Sequence, residues 1–248
     1  EPSKLAGFGA TYVCTIYDET TGRGEICFDA DITTIPNDAF LNKSALTSVS
    51  IPEGVTTIGS DAFYGCTSLE SVDLPNTLTE IGMSAFYRCS SLSEIVIPSG
   101  VKTIAAYVFQ SCNNLKVVKL PSTITQIGYY AFLDATSLTT VYCDALTPPS
   151  LSSSFENTNS TFRIYVPSDA VSSYQTKWSA YKTRIYGRYV MNDDIPVGYS
   201  VTLKADANNY AWVKSSTYAN PNVELYDGVF ESTNVRMDDS ESVMYIDI

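Results

Sequence analysis

Residues 46–66 read LTSVSIPEGVTTIGSDAFYGC, and residues 69–89 repeat the same pattern as LESVDLPNTLTEIGMSAFYRC. The repeat distance is 23 residues, and columns of apolar residues keep this phase through successive copies. A pattern held in register in this way is typical of stacked structural units, so the sequence predicts a solenoid in which each copy forms one coil. The phenylalanine column consists of Phe40, Phe63, Phe86, Phe109, Phe132 and Phe155.

Each part of the repeat has a physical interpretation. The run L-x-x-V-x-I/L places apolar side chains at alternate positions, as in a strand with one buried face, and the following proline ends the strand. The run V-x-x-I-G is expected on another side of the coil, where glycine fits a turn or a close neighbour. The run A-F-x-x-C is expected to pack the opposite wall as a short helical turn. The predicted fold is an α/β solenoid with a parallel sheet along one face.

The phase of the repeat also predicts the ends of the solenoid. Counting by 23 in both directions gives about seven rungs, from residue 26 to residue 166. Residues 10–17 and 24–28 read as a β-hairpin that caps the first coil. Ser168 is expected to cap a helix that covers the last coil. The repeat domain with both caps is therefore predicted over residues 1–186. The apolar face of the capping helix consists of Val171, Tyr174, Trp178 and Tyr181.

Residues 187–248 lose the 23-residue phase. They carry ten acidic residues against four basic ones, and short alternating runs separated by Asp-rich turns read as strands. We predict a small all-β accessory domain over this segment. The six predicted strands are 200–205, 210–214, 223–226, 229–232, 235–237 and 242–248.

The repeat motif, its period and the closing run IYVPSDAVSSYQTKWSAYKTRIY resemble the BspA-like leucine-rich repeats of bacterial surface proteins. The resemblance covers about residues 5–186. It implies a right-handed leucine-rich repeat coil in an extracellular or cell-surface protein, and the studied members of the family are adhesins. The chain begins at Glu1, so we expect any export signal or anchor to lie outside the given sequence.

The composition excludes several functions. The chain has 248 residues, a formal charge of −12 and no histidine, so a histidine triad or histidine metal site is impossible. No basic cluster is present to neutralise the phosphates of nucleic acid. No apolar run approaches the roughly 18–20 residues of a transmembrane segment. Since phosphate-binding and nucleophile motifs are missing too, we expect no enzyme activity and no cofactor.

The cysteines divide into two groups. Cys66, Cys89 and Cys112 follow the phenylalanine column by three residues, so they are interpreted as interior packing. Cys14 and Cys27 lie on the two predicted hairpin strands, where a cross-strand disulfide is one option that only geometry decides.

Carboxylates are the remaining catalytic candidates. Glu70, Asp73 and Glu94 lie near one another on the exposed strand face, and paired acids of this kind cleave glycosidic bonds in some enzymes. The sequence indicates no aromatic platform and no cleft beside them, so a solvated face is the favoured interpretation. The acids at 192–194 and 237–241 do not fit a spaced calcium loop, and no metal site is predicted.

The exposed positions of the coils are the best candidates for binding a partner. Exposed apolar and basic residues lie on the strand face, and tyrosines form columns beside the phenylalanines. The alternative is that the tyrosines only shield the coils from water. The candidate partner-binding residues are Val96, Val117, Lys116, Lys119, Tyr142, Tyr64, Tyr87, Tyr107 and Tyr130.

These observations favour a non-enzymatic recognition protein that mediates adhesion or protein–protein interaction through the repeat surface. The expected partner is an extracellular protein or glycan of a host or of neighbouring bacteria. Two alternatives stay open: a structural spacer that presents the C-terminal segment, and a carbohydrate-binding accessory protein. In the last case, Tyr210, Trp212, Tyr218 and Tyr226 would stack on sugar rings.

Overall fold

The computed structural model describes residues 7–8, 10–18, 23–188, 200–205, 211–214, 235–238 and 243–247. The chain divides into two compact units, residues 1–164 and residues 165–248, and each is described by itself. The division at 164 differs from the predicted boundary at 186, which stays a prediction. Within the described residues, no helix has the length and apolar character to cross a bilayer.

The repeats form short strands at regular intervals. After a hairpin of β1 (Tyr12–Asp18) and β2 (Arg23–Phe28), every coil contributes a strand to each of two walls. In chain order the strands of the coils are β3 (Thr34–Ile35), β4 (Ser48–Ser50), β5 (Thr57–Ile58), β6 (Ser71–Asp73), β7 (Glu80–Ile81), β8 (Glu94–Val96), β9 (Thr103–Ile104), β10 (Val117–Leu120), β11 (Gln126–Ile127), β12 (Thr140–Cys143), β13 (Ser150–Leu151) and β14 (Arg163–Pro167).

Parallel pairing confirms the predicted stacking of one copy on the next. On the first wall, Val118 of β10 pairs with Ile95 of β8 and with Val141 of β12. Residues at the same position of the 23-residue repeat, which we call residues of equal rank, therefore lie side by side. The second wall, formed by the odd-numbered strands from β3 to β13, is also a set of parallel ladders, with Ile58 paired to Ile81. The sequence predicted one parallel sheet, whereas the V-x-x-I-G run forms a second one.

The phenylalanine column is a continuous stack inside the coils. Neighbouring rings from Phe40 to Phe155 lie 5.0–5.5 Å apart between centroids and are within 9° of parallel. The rings of Phe63, Phe86, Phe109 and Phe132 are fully buried. Burial of these rings supplies a large share of the hydrophobic stabilisation, since one aromatic side chain removes about 150–250 Å² from water.

The third wall, which carries the phenylalanines, consists of turns rather than the predicted helical segment. Each coil has two residues with left-handed backbone in this wall, and such residues interrupt a right-handed helix. The backbone groups pair with the next coil instead, as in the 2.8 Å bond from Phe63 N–H to Ala85 O. The two left-handed columns are Asp38, Asp61, Ser84, Tyr107, Tyr130 and Ser153, and Asn42, Gly65, Arg88, Ser111, Asp134 and Asn157.

A glycine column marks a close approach between coils. A Cβ atom placed on Gly59 or Gly82 would lie 2.5 Å from a backbone nitrogen of the preceding coil, and one on Gly128 would lie 2.7 Å from Ile104 O. The backbone at these three glycines therefore lies in close contact with the preceding coil. After Gly59, two coils carry other residues at this rank, Ala105 and Leu151.

The N-terminal segment differs from the predicted first rung. Strand β2 pairs antiparallel with β1, and Cys14 and Cys27 are joined by a disulfide. Ile26, placed inside by the repeat phase, is 38% exposed because β2 belongs to this hairpin and not to the parallel ladder. Phe8 is buried, with its ring 4.8 Å from Phe28 and 6.4 Å from Phe40.

The second unit begins with helical turns. A 3-10 turn, Ser168–Ala170, leads into α1 (Val171–Lys177), and a second 3-10 segment, Ser179–Arg184, precedes β15 (Ile185–Arg188). Ala170 is the N-cap residue and makes no side-chain capping bond, so Ser168 does not cap α1 as predicted. Ser168 instead begins the 3-10 turn, so the α-helix starts after that turn, at Val171.

Four further strands form an antiparallel sheet in the order β17, β16, β19, β18. Its strands coincide with four of the six predicted runs, whereas 223–226 and 229–232 lie outside the described residues, as do the candidate calcium ligands at 192–194. That residues 187–248 form a separate domain stays a prediction. The strands are β16 (Ser200–Ala205), β17 (Ala211–Lys214), β18 (Val235–Asp238) and β19 (Val243–Asp247).

Replacing Phe86 by Ala should destabilise the protein by about 3–5 kcal/mol, because the truncation leaves a cavity in a fully stacked column. Urea unfolding followed by circular dichroism measures the change. The exposed substitution Glu80→Gln is the control and should change stability by less than about 0.5 kcal/mol. A loss below about 1 kcal/mol for Phe86→Ala would contradict the role of the stack.

Candidate functional site

Five tyrosines of the turn wall, together named the tyrosine surface, form two aromatic clusters: Tyr64 with Tyr87, and Tyr107 with Tyr129 and Tyr130. The rings of Tyr64 and Tyr87 stack with centroids 4.7 Å apart, and the Arg88 guanidinium lies 5.6 Å from the Tyr87 centroid. The ring of Tyr107 lies 5.7 Å from that of Tyr129 and 6.2 Å from that of Tyr130, both edge-on. Each predicted tyrosine pair thus stays together on the turn wall, and Tyr129 joins the second pair.

Tyr107 and Tyr130 are held in an unfavourable backbone conformation. Both have left-handed φ angles, of 62° and 54°, at a rank where the other coils use Asp or Ser. For an L-residue with a large side chain, this conformation costs about 1–2 kcal/mol. The left-handed conformation itself belongs to the repeat, since every coil adopts it at this rank.

Tyr129 was missed by the sequence analysis, although it is the most exposed member, at 43%. It belongs to the column of Met83, where no other tyrosine occurs, so no repeated signal marked it. A hydrogen bond with the Tyr130 side chain, partial burial and the nearby Tyr130, Tyr107 and Glu156 side chains raise the pKa of Tyr129 to about 12. The raised pKa keeps the phenol protonated further into alkaline pH, and its ring lies beside those of Tyr107 and Tyr130.

The strand-face candidates do not form the continuous exposed patch that the sequence suggested. Val96 is 53% exposed and Lys116 is exposed, whereas Val117 is half-buried. The Lys119 ammonium lies 2.7 Å from Glu94 Oε1 and is engaged in that ion pair. Tyr142 was predicted to be exposed, but only 5% of its surface is accessible, so this prediction was wrong.

The candidate carboxylates Glu70, Asp73 and Glu94 line an open cleft of about 460 Å³ in the first wall. The sequence indicated no cleft there, so this expectation was wrong. The reason is a local interruption of the sheet, which single-repeat patterns do not report. No aromatic ring lines the cleft, so the platform on which a sugar ring stacks is missing from it.

The cysteine column lies in the interior, as predicted. The thiols of Cys66, Cys89 and Cys112 each donate to a phenylalanine carbonyl of the preceding coil at 3.1–3.2 Å. Burial raises the pKa of all three, that of Cys112 to about 12. Since the thiolate is the reactive form, these side chains are chemically quiet and serve packing.

The repeat geometry agrees with a known protein family. The sequence profile of the BspA type leucine rich repeat region matches residues 33–162 with six copies. The chain belongs to the BspA-type leucine-rich repeat family. The matched span begins just before β3 and ends just before β14, so it contains strands β3 to β13 and the phenylalanine stack of this BspA-type protein.

Solved structures of bacterial leucine-rich repeat proteins are similar to this BspA-type chain. A leucine-rich repeat protein of T. pallidum is 32% identical over 55% of this chain and 69% of that chain, with a TM-score of 0.46. The pneumococcal vaccine antigen PcpA is 21% identical over 63% of this chain and 40% of its own, with a TM-score of 0.44. A leucine-rich cell surface protein of Faecalibacterium prausnitzii is 20% identical over 64% and 63%, with a TM-score of 0.24. No curated protein matches the chain.

The folded protein should resist thiol reagents. Ellman's reagent at pH 8 should label none of the free cysteines, because all four are buried and the pKa values of three are raised. In denaturant without reductant, four thiols should react, and six after reduction of the disulfide. Stoichiometric labelling of a thiol in the folded protein would contradict the packing role.

Proposed function

We propose that this protein is a non-enzymatic recognition protein, located outside the cell or on the bacterial surface, that binds a partner protein through the tyrosine surface. The observation that carries the proposal is the strained backbone at Tyr107 and Tyr130. A fold selected only for stability would keep Asp, Asn or Gly at this rank, since these residues tolerate left-handed geometry better. Tyrosines are enriched in protein interfaces, where they supply contact area at low entropic cost.

An extracellular location is supported by the disulfide between Cys14 and Cys27. Disulfides persist in oxidising compartments and are rare in the cytosol. The BspA-type family, which includes surface proteins, supports the same location. The four free thiols are compatible with it, because all of them are buried.

The segments that flank the repeats are proposed to act as caps. A solenoid end exposes apolar core and open strand edges, so both ends need covers. At the N-terminus, the buried Phe8 and its neighbour Phe28 continue the aromatic stack beyond Phe40. At the C-terminus, α1 carries the buried Tyr174 and Trp178, whose rings meet edge-on at 4.9 Å. Residues 187–248 are proposed to form an all-β accessory domain.

The strand-face residues Val96, Val117, Lys116 and Lys119 are proposed as a secondary contact. Their exposed area is smaller than the sequence suggested, because Tyr142 is buried and Lys119 is paired with Glu94. The tyrosine surface is therefore the primary contact in this proposal. A pure spacer role, the alternative, would not call for tyrosine at this rank, where the other coils use Asp or Ser.

The test begins with capture of partners by the intact chain from arrays of extracellular-matrix proteins and polysaccharides. Tyr107→Asn and Tyr130→Asn remove the rings but keep a residue that tolerates left-handed backbone, so stability should stay within about 1 kcal/mol. The double variant should weaken binding of the captured protein at least about tenfold, since central aromatic contacts typically dominate interface energy.

Tyr186→Ala serves as the matched control, since Tyr186 is a partly exposed tyrosine outside the tyrosine surface. It should bind the captured protein with unchanged affinity. Equal binding by wild type and by the double variant would contradict the proposal and favour the spacer. Capture of polysaccharides alone, with no protein bound, would contradict the partner class.

A further inference from the structure

The two clusters of the tyrosine surface differ in the charged groups beside their rings. In the first cluster the chain supplies its own cation, since the Arg88 guanidinium lies 5.6 Å from the centroid of the Tyr87 ring. The second, which we call the three-tyrosine cluster, consists of Tyr107, Tyr129 and Tyr130. Among the described residues, no lysine or arginine lies over a ring of this cluster.

Acidic residues occur beside the three-tyrosine cluster instead. Asp134 holds the rank of Arg88, two coils further along the chain. Glu156 follows on the next coil, where its carbonyl oxygen accepts a 3.1 Å hydrogen bond from Asp134 N–H. Asp134 Oδ1 also accepts a hydrogen bond from the Asn157 side chain at 3.2 Å. The exposed Glu156 carboxylate, by contrast, has no ion pair within the described part of the chain.

Glu156 lies close enough to the three-tyrosine cluster to act on it. The pKa of Tyr129 is raised by the hydrogen bond with Tyr130, by desolvation and by neighbouring groups that include the Glu156 carboxylate. A negative charge has this effect because it disfavours ionisation of a nearby phenol. A cation bound at Tyr129 would therefore be attracted by Glu156.

Tyr129 provides the exposed ring of the cluster. Its ring is packed against that of Tyr130, with centroids 3.7 Å apart, and meets the Tyr107 ring edge-on at 5.7 Å. The residue is nevertheless 43% exposed, whereas Tyr107 and Tyr130 are half-buried. Because its neighbours already hold the ring in place, little conformational entropy is lost when a partner binds it.

We propose that the three-tyrosine cluster and Glu156 bind an arginine side chain of the partner protein, with the guanidinium stacked on Tyr129 and paired with the carboxylate. This inference rests on the proposed function of the tyrosine surface and names the chemistry of the partner. A guanidinium is planar, stacks on aromatic rings and pairs with a carboxylate through two hydrogen bonds, whereas a lysine ammonium is a strongly hydrated point charge. The chain makes a related contact itself, between Arg88 and Tyr87.

The probe is Nα-acetyl-arginine methylamide, titrated into the full chain with isotope-labelled tyrosine rings. Nuclear magnetic resonance follows the ring signals of Tyr129, which are assigned by their absence from the Tyr129→Phe variant. The probe should bind at least about fivefold more tightly than its citrulline analogue, which has a similar shape without the charge. The lysine analogue should bind at least about twofold more weakly than the arginine compound.

Glu156→Gln removes the carboxylate and should weaken binding of the arginine compound about threefold. Glu80→Gln is the matched control, because it removes an exposed acid from the second wall and should leave the affinity unchanged. Tyr129→Ala removes the stacking ring and should weaken binding at least about threefold. Tyr186→Ala, at an exposed tyrosine outside the tyrosine surface, should have no effect.

Three results would overturn the arginine site. These are equal affinity for the arginine and citrulline compounds, a lysine compound that binds as tightly as arginine, and equal effects of Glu156→Gln and Glu80→Gln.

The captured partner protein separates this inference from the proposed function. If the Tyr107→Asn and Tyr130→Asn double variant loses the partner while Glu156→Gln binds it with unchanged affinity, the arginine site is wrong and the proposed function stands. If the arginine compound binds as expected but the double variant retains the partner, the proposed function is wrong and the arginine site stands.

Discussion

The contact on which the structure depends is the approach of each coil's backbone to the coil before it. At Gly59, Gly82 and Gly128 the distance leaves no room for a side chain, and this proximity allows both walls to form parallel hydrogen bonds. The same spacing brings the phenylalanine rings into stacked contact. Both walls lose their ladder pairing between the coils of residues 69–91 and 92–114, where Ala105 stands in place of glycine, while the aromatic stack continues. The spacing between the backbones of successive coils thus sets both the packing of the phenylalanine rings and the hydrogen bonding of the walls.

Much of this fold could be predicted from the sequence, because a repeated column reports the environment of its rank several times. Phe86 and Cys89 were placed inside on that basis, and the structure buries both. Features that occur once were missed. Tyr129 lies in a column without other tyrosines, Tyr142 is buried although its rank is exposed in other coils, and Ile26 belongs to a disulfide-linked hairpin. The left-handed turns of the third wall were not predicted from the sequence. Their residues are a mixture of Asp, Ser and Tyr, so no repeated residue type marks the position.

A solenoid separates its structural and functional positions in a way that compact domains do not. The interior ranks repeat almost unchanged, whereas the surface ranks vary from coil to coil, and departures from the repeat mark candidate sites. Tyr107 and Tyr130 depart by placing aromatic rings on left-handed backbone, at a cost in stability. Ala105 departs by replacing glycine, at the junction where both walls lose their ladder pairing.

Amide hydrogen exchange, resolved by residue, tests the steric account of the coils most directly. Amides in intact ladders exchange only on local opening, whereas amides without a partner exchange freely. The account predicts strong protection of Gly82 and Gly128, and exchange of Ala105 at least about a hundredfold faster, with Lys102 and Thr103 also fast. Equal protection of Gly82, Ala105 and Gly128 would show that the walls are continuous and would contradict the account.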